Sequence, residues 1–537
     1  MKKQIAKRVT SCLMGLTMLT GLVGCADGDG KKVDPNKTQL YLGVTSEGID
    51  EAWLDSVIEG FEKEYPDYQV WVDPITDTEL DTLETDMPTS RQDLYYLQNM
   101  SNPKGWYDKG LIDDITDVVT VGDPAFEEGT TIESKIMDDV IDTYRFENES
   151  GDTRYFGVPY VLVTYGIVYD ADLFTRKNLF NLAAYKGLDC VEGTADDNYG
   201  PDGVEGGFDD GLPATWEDFK ALMSTMVQRG VTPFVWSGEH AYYRINLTKA
   251  MLASYEGAAQ HRLYYDLNGY DEQLKIDITP SNAWKLVERP SQEAVLTAVS
   301  DIVKNTKNYS AKSFYLSTSH LQAQNEFILS TRTETPIGML IEGGWWENEA
   351  KSTFEEMERY GEQYGYGKRN FKYMPLPKFI GTDGVEDQIY KGTTVYSEFG
   401  ESMVCLNSAS SNKEGAKLFL RYSHTNASLK AFTLDNGMAR PFEYDFDETE
   451  FASLSKYAQS VWSIVRDENT EIVTPAKSNP TAIAHAEVVN GLRLTGTNGT
   501  ANYTDPFLEF YRTANMTVAD YLTAMKNKYN ESTWNIS

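Results

Sequence analysis

Two different hydrophobic periods follow each other early in the chain, and this change of period constrains the fold most. Apolar residues alternate over 40–44, which predicts a strand with every second side chain on one face. Apolar residues then recur at helical spacing over 53–65 until Pro66 ends the helix, and a second strand is predicted over 68–72. A strand, a helix and a strand in this order indicate a β-α-β unit and therefore an α/β fold.

Similar patterns recur through the rest of the chain. An apolar run over 161–169 and a shorter run over 337–341 predict buried strands. The sequence from residue 451 onward is predicted to be mostly helical. No internal repeat and no second membrane span are predicted.

Two further helices are predicted from their N-terminal capping residues. Thr215 and Asp218 have the spacing of a capping box, and the amphipathic helix that follows ends at Gly230. Ser411 and Glu414 have the same spacing, which predicts a second helix beginning with a capping box there.

The length and the net charge of the chain limit the possible classes of protein. A chain of 537 residues is long enough for two or more domains. It has 82 acidic and 48 basic residues, a formal net charge of −34. This excess of negative charge disfavours nucleic acid as a partner, because phosphates bind to clusters of Lys and Arg.

The first 25 residues have the features of an export signal. A basic segment precedes an apolar stretch over 9–23, and the junction Leu22-Val23-Gly24-Cys25 resembles the bacterial lipobox. We therefore expect residues 1–24 to be a lipoprotein signal peptide and Cys25 to be lipidated, with 25–37 as a flexible tether. The protein would then be anchored by lipid to the extracytoplasmic face of the cell membrane.

A loop rich in Gly and Asp, residues 187–211, is inserted before the Thr215 helix. Calcium binds six to eight oxygen ligands on flexible loops, so the loop is a candidate for a structural Ca²⁺ site. A solvated insertion without metal is the alternative. The candidate ligands are Asp196, Asp197, Asn198, Asp202, Asp209 and Asp210.

Two cysteines, Cys190 and Cys405, remain beyond the predicted lipidation site. Their spacing does not decide whether they form a disulfide, and it does not match a zinc site.

Five stretches occur in a characteristic order over nearly the whole chain that follows the signal peptide. They are FEKEYPDYQV at 61–70, GVPY at 157–160, LPATWEDF at 212–219, GGW at 343–345 and NKEGAKLFL at 412–420. Together with the lipobox, their order and spacing resemble the extracellular solute-binding proteins of ABC importers, the family that includes the maltose- and oligosaccharide-binding proteins.

The resemblance implies an α/β fold of two lobes, the type II periplasmic-binding-protein-like fold, with a hinge and a central ligand cleft. Lobe 1 is expected at 38–158 and 376–435, and lobe 2 at 159–375 and 436–537. A solute would bind in the cleft and favour closure of the lobes. The loaded protein, a monomer without enzyme activity, would then dock on the membrane permease of an ABC transporter.

A carbohydrate is the solute that the resemblance implies, and sugars bind to aromatic platforms beside a few converging polar groups. Trp345 follows two glycines at a strand end, and in sugar-binding relatives the tryptophan of this turn stacks on the ligand. A core tryptophan is the alternative. Glu342 could accept hydrogen bonds from sugar hydroxyls or could be structural.

Six further residues are candidates for the cleft. Two of them lie on loops after predicted elements, two lie at the expected lobe crossing, and the last two are additional candidates. In that order they are Trp236, Glu47, Tyr160, Tyr165, Tyr396 and Arg440.

Two other classes of protein stay open. A secreted glycoside hydrolase lipoprotein would need a carboxylate pair, which this many acidic residues could supply. The sequence contains no G-x-S-x-G, H-E-x-x-H or P-loop motif. A surface adhesin would not be stabilised by a small molecule. Binding of a small molecule without turnover would distinguish a solute-binding protein from both the hydrolase and the adhesin.

Overall fold

The computed structural model describes most of the chain after residue 30. The described residues are 31–45, 48–98, 103–122, 127, 129–180, 199–201, 204–205, 207–397, 402–474, 489–494 and 504–534. Several predicted features therefore lie outside the described residues: the signal peptide, Cys25, Glu47, Asp196, Asp197, Asn198, Asp202 and Cys190.

The described strands are numbered in chain order. They are β1 Thr38–Thr45, β2 Tyr68–Ile75, β3 Leu94–Leu97, β4 Arg145–Glu147, β5 Thr153–Tyr155, β6 Val158–Pro159, β7 Thr164–Asp170, β8 Thr232–Val235, β9 Gly269–Asp271, β10 Ile276–Ile278, β11 Ile337–Gly343, β12 Phe371–Met374, β13 Thr393–Ser397, β14 Met403–Leu406 and β15 Thr470–Val473.

The described α-helices are numbered in the same way. They are α1 Ala52–Glu64, α2 Asp77–Asp86, α3 Pro103–Asp108, α4 Thr116–Val119, α5 Asp138–Ile141, α6 Ala171–Lys177, α7 Trp216–Gln228, α8 Tyr242–His261, α9 Leu263–Asp266, α10 Pro290–Lys304, α11 His320–Ser330, α12 Trp346–Glu349, α13 Lys351–Glu358, α14 Lys413–Tyr422, α15 Asn426–Asn436, α16 Glu448–Ser453, α17 Lys456–Val465, α18 Pro506–Arg512 and α19 Val518–Lys528. None of these helices is long and apolar enough to cross a membrane.

The predicted β-α-β unit is confirmed as β1, α1 and β2. The two strands pair in parallel along all eight residues of each, and the helix ends at Glu64, just before Pro66. The helix packs one apolar face into the core. The buried residues of that face are Trp53, Leu54, Val57, Ile58 and Phe61.

The first sheet has the strand order β2-β1-β3-β14-β6. β1 runs parallel to β2 and β3, whereas β14 runs antiparallel to β3 and β6. Because β14 comes from a much later part of the chain, the polypeptide leaves this sheet after β6 and returns to it.

The second sheet has the order β15-β13-β7-β11-β8, and β12 also pairs with β7. The strand predicted over 161–169 is β7, which begins three residues later, and the strand predicted over 337–341 is β11, which continues to Gly343. β7 is buried along its whole length, as expected for a central strand. Helices accompany both sheets, so the α/β prediction is confirmed.

One of the two predicted capping boxes forms. The Thr215 hydroxyl accepts the amide N–H of Asp218 at 3.2 Å, and the Asp218 carboxylate accepts the amide N–H of Thr215 at 3.0 Å. The capping box at Ser411 is wrong, because α14 begins at Lys413 and its N-cap makes no side-chain hydrogen bond. The Ser410 hydroxyl instead accepts the amide N–H of Asn412 at 3.0 Å, which forms a turn before the helix.

The chain passes between the two sheets more than once. It crosses from β6 to β7 and from β13 to β14, and a β-bridge joins Leu162 to Ala439 where a third segment runs alongside. The expected lobe limits differ from the strand pairing at one point, since β13 falls within 376–435 but pairs with β7 and β15 of the second sheet. The segment before β13 is held on α8, where Tyr390 donates its amide N–H to the carbonyl of Tyr255 at 3.1 Å.

The described part of the predicted tether is not free. The Lys31 ammonium lies 2.7 Å from the carboxylate of Glu62 and 2.9 Å from the carbonyl oxygen of Val70. The Gln69 side chain accepts the amide N–H of Asp34 and donates to the carbonyl of Lys32, both at 2.8 Å. Residues 31–37 are therefore bound along the first sheet, because polar groups of β2 and α1 satisfy their backbone and charge.

Candidate functional site

Strand direction brings one edge of each sheet to the same place. In the first sheet β1, β2 and β3 end at the edge where antiparallel β14 begins. In the second sheet β8, β11, β13 and β15 end at the edge where antiparallel β7 begins. The β6–β7 crossing connects these two edges, and the carboxyl ends of strands are where open α/β sheets bind ligands. We call this place the junction.

Three predicted residues are neighbours at the junction. Tyr165 pairs in register with Gly343 on one side and with Tyr396 on the other. The ring of Tyr165 lies 5.4 Å from that of Trp345 and perpendicular to it, at 89°. Residues far apart in the sequence are thus assembled into an aromatic group by strand pairing.

Trp345 lies where the two lobes touch. Its side chain is only 6% exposed, and Gly48, just after β1 of the first sheet, packs against it. A Cβ atom on Gly48 would lie 2.8 Å from the Cβ of Trp345, and the φ of Gly48 is +67°. Only glycine fits without strain, so the first lobe approaches the indole as closely as backbone allows.

A polar contact beside Trp345 also joins the lobes. The Lys351 ammonium of α13 lies 2.9 Å from the Asp50 carboxylate, and its hydrogen bond lowers the pKa of Asp50. Asp50 donates its amide N–H to the Asn436 side chain at 2.6 Å. The Asn348 amide of α12 donates to the carbonyl of Asn436 at 2.8 Å. Residues 48–50 and 345–351 therefore form an interlobe contact.

Glu342 is buried beneath this turn, and the partly exposed Glu349 lies beside it. The Gln324 side-chain amide donates to both carboxyls, at 3.3 Å and 2.7 Å respectively. Burial, the neighbouring Glu349 and few compensating hydrogen bonds hold the pKa of Glu342 well above its usual range. Burial raises the pKa of Glu349 to about 7. Two acids in one apolar place cannot both ionise readily.

Tyr160 and Arg440 lie inside the first lobe rather than at its edge. The ring of Tyr160 packs against Tyr96 at 5.4 Å and against Phe432 at 5.8 Å. The fully buried Arg440 guanidinium donates to the carbonyls of Tyr160 at 2.9 Å and Ser423 at 3.0 Å. Its donors hold the backbone of the crossing, which gives Arg440 a structural position.

Trp236 and Tyr396 point into the second lobe. Trp236 is fully buried and its ring contacts those of Tyr309, Phe314 and Phe507 at 5.1–5.4 Å. The ring of Tyr396 lies 6.0 Å from that of His261. Trp236 follows the edge strand β8 and Tyr396 lies on β13, between β15 and β7, but both side chains pack inside the lobe.

The described part of the acidic loop lies close to its own glycines. Asp209 is buried, and a Cβ atom on Gly200 would lie 2.5 Å from the carbonyl oxygen of Asp209. Within the described part of the chain, no group of three or more His, Cys, Asp or Glu side chains is arranged to hold a metal. Because four of the six expected ligands lie outside the described residues, the Ca²⁺ site stays a prediction.

Sequence reasoning missed the polar residues of the junction. Asp50, Asn348 and Lys351 have no motif, because their pairing depends on how the lobes meet. Glu349 had a signal in the sequence, since it follows the GGW turn in a run of three acids over 342–349. Gln324 had none, because only the packing of α11 on β11 brings it there.

Two α/β lobes whose strand ends meet at a junction, joined by several crossings of one chain, define a bilobal binding protein. The chain belongs to a family of this class, the bacterial extracellular solute-binding proteins, whose sequence profile matches residues 45–428.

Solved structures share this architecture at 13% sequence identity, which shows the fold alone. One is RafE from Streptococcus pneumoniae in its apo form, with a TM-score of 0.54 over 94% of this chain and 100% of that one. RafE in complex with raffinose matches with a TM-score of 0.53 over 92% of this chain and 100% of that one. A chitin oligosaccharide binding protein matches with a TM-score of 0.55 over 93% of this chain and 100% of that one. No curated protein sequence matches this chain.

Replacing Arg440 by Met should destabilise the protein, because several buried carbonyls of the crossing would lose their donor. We expect the free energy of unfolding to fall by roughly 2–4 kcal/mol, since each buried group left unsatisfied costs about 1–3 kcal/mol. Urea denaturation measures this. The exposed Arg359 offers a control, and Arg359→Met should change stability little. Equal stability of the two variants would contradict a structural role for Arg440.

Lys351→Met and Asp50→Asn should each shift the solute-free protein toward an open arrangement, because each removes the interlobe ion pair. The radius of gyration from small-angle X-ray scattering should increase. Lys31→Met is the matched control, since the Lys31–Glu62 pair has a similar length and an equally exposed lysine but lies within the first lobe. An unchanged radius in the first two variants, or an equal increase in the control, would show that this contact does not hold the lobes.

Proposed function

We propose that this protein captures a carbohydrate, an oligosaccharide, at the junction of its lobes and delivers it unaltered to the membrane permease of an ABC transporter. The observation that carries the proposal is that Trp345 contacts both Tyr165 of the second lobe and Gly48 of the first lobe. Because both lobes enclose this aromatic face, a solute that stacks on it would contact both lobes and favour the closed arrangement.

The physics of sugar recognition supports a carbohydrate as the solute. A pyranose has an apolar C–H face, which buries well against an indole, and a rim of hydroxyls. The carboxyls of Glu342 and Glu349 lie on the same turn as Trp345 and can accept hydrogen bonds from such hydroxyls. Two structures that share the fold, RafE in complex with raffinose and a chitin oligosaccharide binding protein, add support.

Capture without turnover is favoured over hydrolysis. A glycosidase needs one carboxyl as acid and another as base or nucleophile, separated by room for the sugar linkage. Here the two carboxyls beside Trp345 share one hydrogen-bond donor, the Gln324 amide nitrogen, and the family to which the chain belongs consists of solute-binding proteins, which favours capture. Release of free sugar by pure protein from a bound oligosaccharide would reverse this conclusion.

We also propose that lipid on Cys25 anchors the protein at the cell membrane and that the Asp196–Asp210 loop binds Ca²⁺ as a structural ion. The lipobox junction supports the first proposal. Clustered carboxylates among glycines support the second, because Ca²⁺ prefers such oxygen ligands. A rise of the melting temperature with Ca²⁺ that Asp209→Ala abolishes is the outcome we expect of that site.

Trp345→Leu should weaken sugar binding by about tenfold or more, because it replaces the aromatic platform with an aliphatic chain, and about 1.4 kcal/mol corresponds to a factor of ten. Calorimetry would use the sugar that most raises the melting temperature in a screen of mono- and oligosaccharides. Trp346→Leu is the matched control, since Trp346 packs on Phe371 and Tyr457 inside the second lobe. The control should melt earlier but bind normally. The reverse pattern would place the sugar elsewhere.

Cys25→Ala should release the protein from the membrane fraction or leave it unprocessed, because the thiol that carries the lipid is gone. Fractionation and intact mass of the expressed protein measure this. Cys405→Ala is the control, since this cysteine is buried in the first sheet. Identical mass and fractionation of Cys25→Ala and wild type would refute the anchor.

A further inference from the structure

Glu342 and Glu349 beside Trp345 lack the basic partner that several buried acids of the second lobe have. Glu256 is fully buried like Glu342, but the Arg289 guanidinium lies 3.1 Å from its carboxylate and also 2.7 Å from that of Asp271. With this partner and His261, the pKa of Glu256 falls to about 2 in spite of burial. Arg289 therefore compensates the charge of both Glu256 and Asp271.

Neither Glu342 nor Glu349 has such a partner. Among the described residues, no Lys or Arg nitrogen lies within 4.0 Å of either carboxyl. The groups that face them are the Gln324 amide and His320 from α11 and Tyr243 from α8. The His320 Nε2 lies 3.6 Å from Glu349, but burial and then His240 lower the pKa of His320, so it supplies little positive charge at neutral pH.

One polar atom in the same cluster also lacks a partner. The buried hydroxyl of Tyr243 faces Glu342 and lowers the pKa of that carboxyl through a hydrogen bond. The side-chain oxygen of Gln324, which is fully buried, accepts no hydrogen bond from the described part of the chain. A buried oxygen without a donor beside two acids without a base indicates a missing donor group.

The cluster adjoins the junction along the chain. Glu342 directly precedes the Gly343-Gly344-Trp345 turn, and β11 ends there. The side chains of Glu349 and His320 remain 16% and 26% exposed, so the cluster is open on one side. The exposed ring of Tyr242 stacks on that of Tyr243 at 4.2 Å. A solute on Trp345 would thus have carboxyls and an aromatic rim within reach.

We propose that the solute carries a positively charged group, as in an amino sugar, and that this group binds between the carboxyls of Glu342 and Glu349. This inference rests on the proposed function and specifies its substrate class. An ammonium group brings both the charge and the N–H donors that the cluster lacks. It would replace the proton that the two acids otherwise share, whereas a neutral sugar can supply hydroxyls but no charge.

The test compares sugars that differ only in the group at C2. Glucosamine, galactosamine and the β-1,4-linked glucosamine dimer are matched with glucose, galactose and cellobiose in thermal-shift and calorimetric titrations of the full chain. The best amino sugar should bind about tenfold or more tightly than its neutral match, since hydrogen bonds to charged groups are the stronger ones. Glu342→Gln and Glu349→Gln should each abolish this preference.

Glu347→Gln is the matched control. Glu347 is a third buried acid of the same turn, but it accepts a hydrogen bond from Ser455 at 2.5 Å, so its variant should keep the preference for the amino sugar. The solute-free Glu349→Gln protein should melt no earlier than wild type, because it loses one of two repelling acids. This measurement separates lost recognition from lost folding.

The outcomes distinguish this inference from the proposed function. Tighter binding of the neutral sugars, or a preference for amino sugars that survives both Gln variants, would overturn the charged-group inference and leave carbohydrate capture intact. If no sugar of either kind binds, both fail together.

Discussion

The guanidinium of Arg440 holds the place at which the two lobes are connected. It is fully buried and donates to the carbonyls of Tyr160 and Ser423, so one side chain joins the β6–β7 crossing to the end of α14. Burial lowers its pKa, but carbonyls and aromatic faces around it stabilise the charge. This crossing connects both edges of the junction, because β6 ends at one edge and β7 begins at the other.

Two consecutive tryptophans show how the local backbone assigns different roles to the same side chain. Gly343 and Gly344 let the chain turn sharply after β11, where Thr164 lies only 3.2 Å from a Cβ built on Gly344. Trp345 then faces Gly48 of the first lobe, whereas Trp346 begins α12 and enters the second-lobe core against Phe371. A larger residue in place of either glycine would move both rings at once.

The sequence predicted the parts of the fold that depend on local pattern, and it failed where distant segments decide. The β1–α1–β2 unit and the Thr215 cap follow from hydrophobic period and capping chemistry. The same reasoning misplaced the Ser411 cap, because a turn at Ser410 was invisible to it. At the site, Trp345 was identifiable from its glycines and the family resemblance. Gln324 was not, because it reaches Glu342 only through helix packing.

The interlobe contact is weak enough for a bound solute to shift the equilibrium between the open and closed arrangements. Asp50 and Lys351 remain 43% and 35% exposed, and a half-exposed ion pair contributes only about 0.2–1 kcal/mol. A ligand can shift an equilibrium by no more than its difference in affinity for the two states. Because the contact is this weak, a modest gain in binding free energy at Trp345 is enough to close the lobes. The lobes can then reopen when the solute leaves.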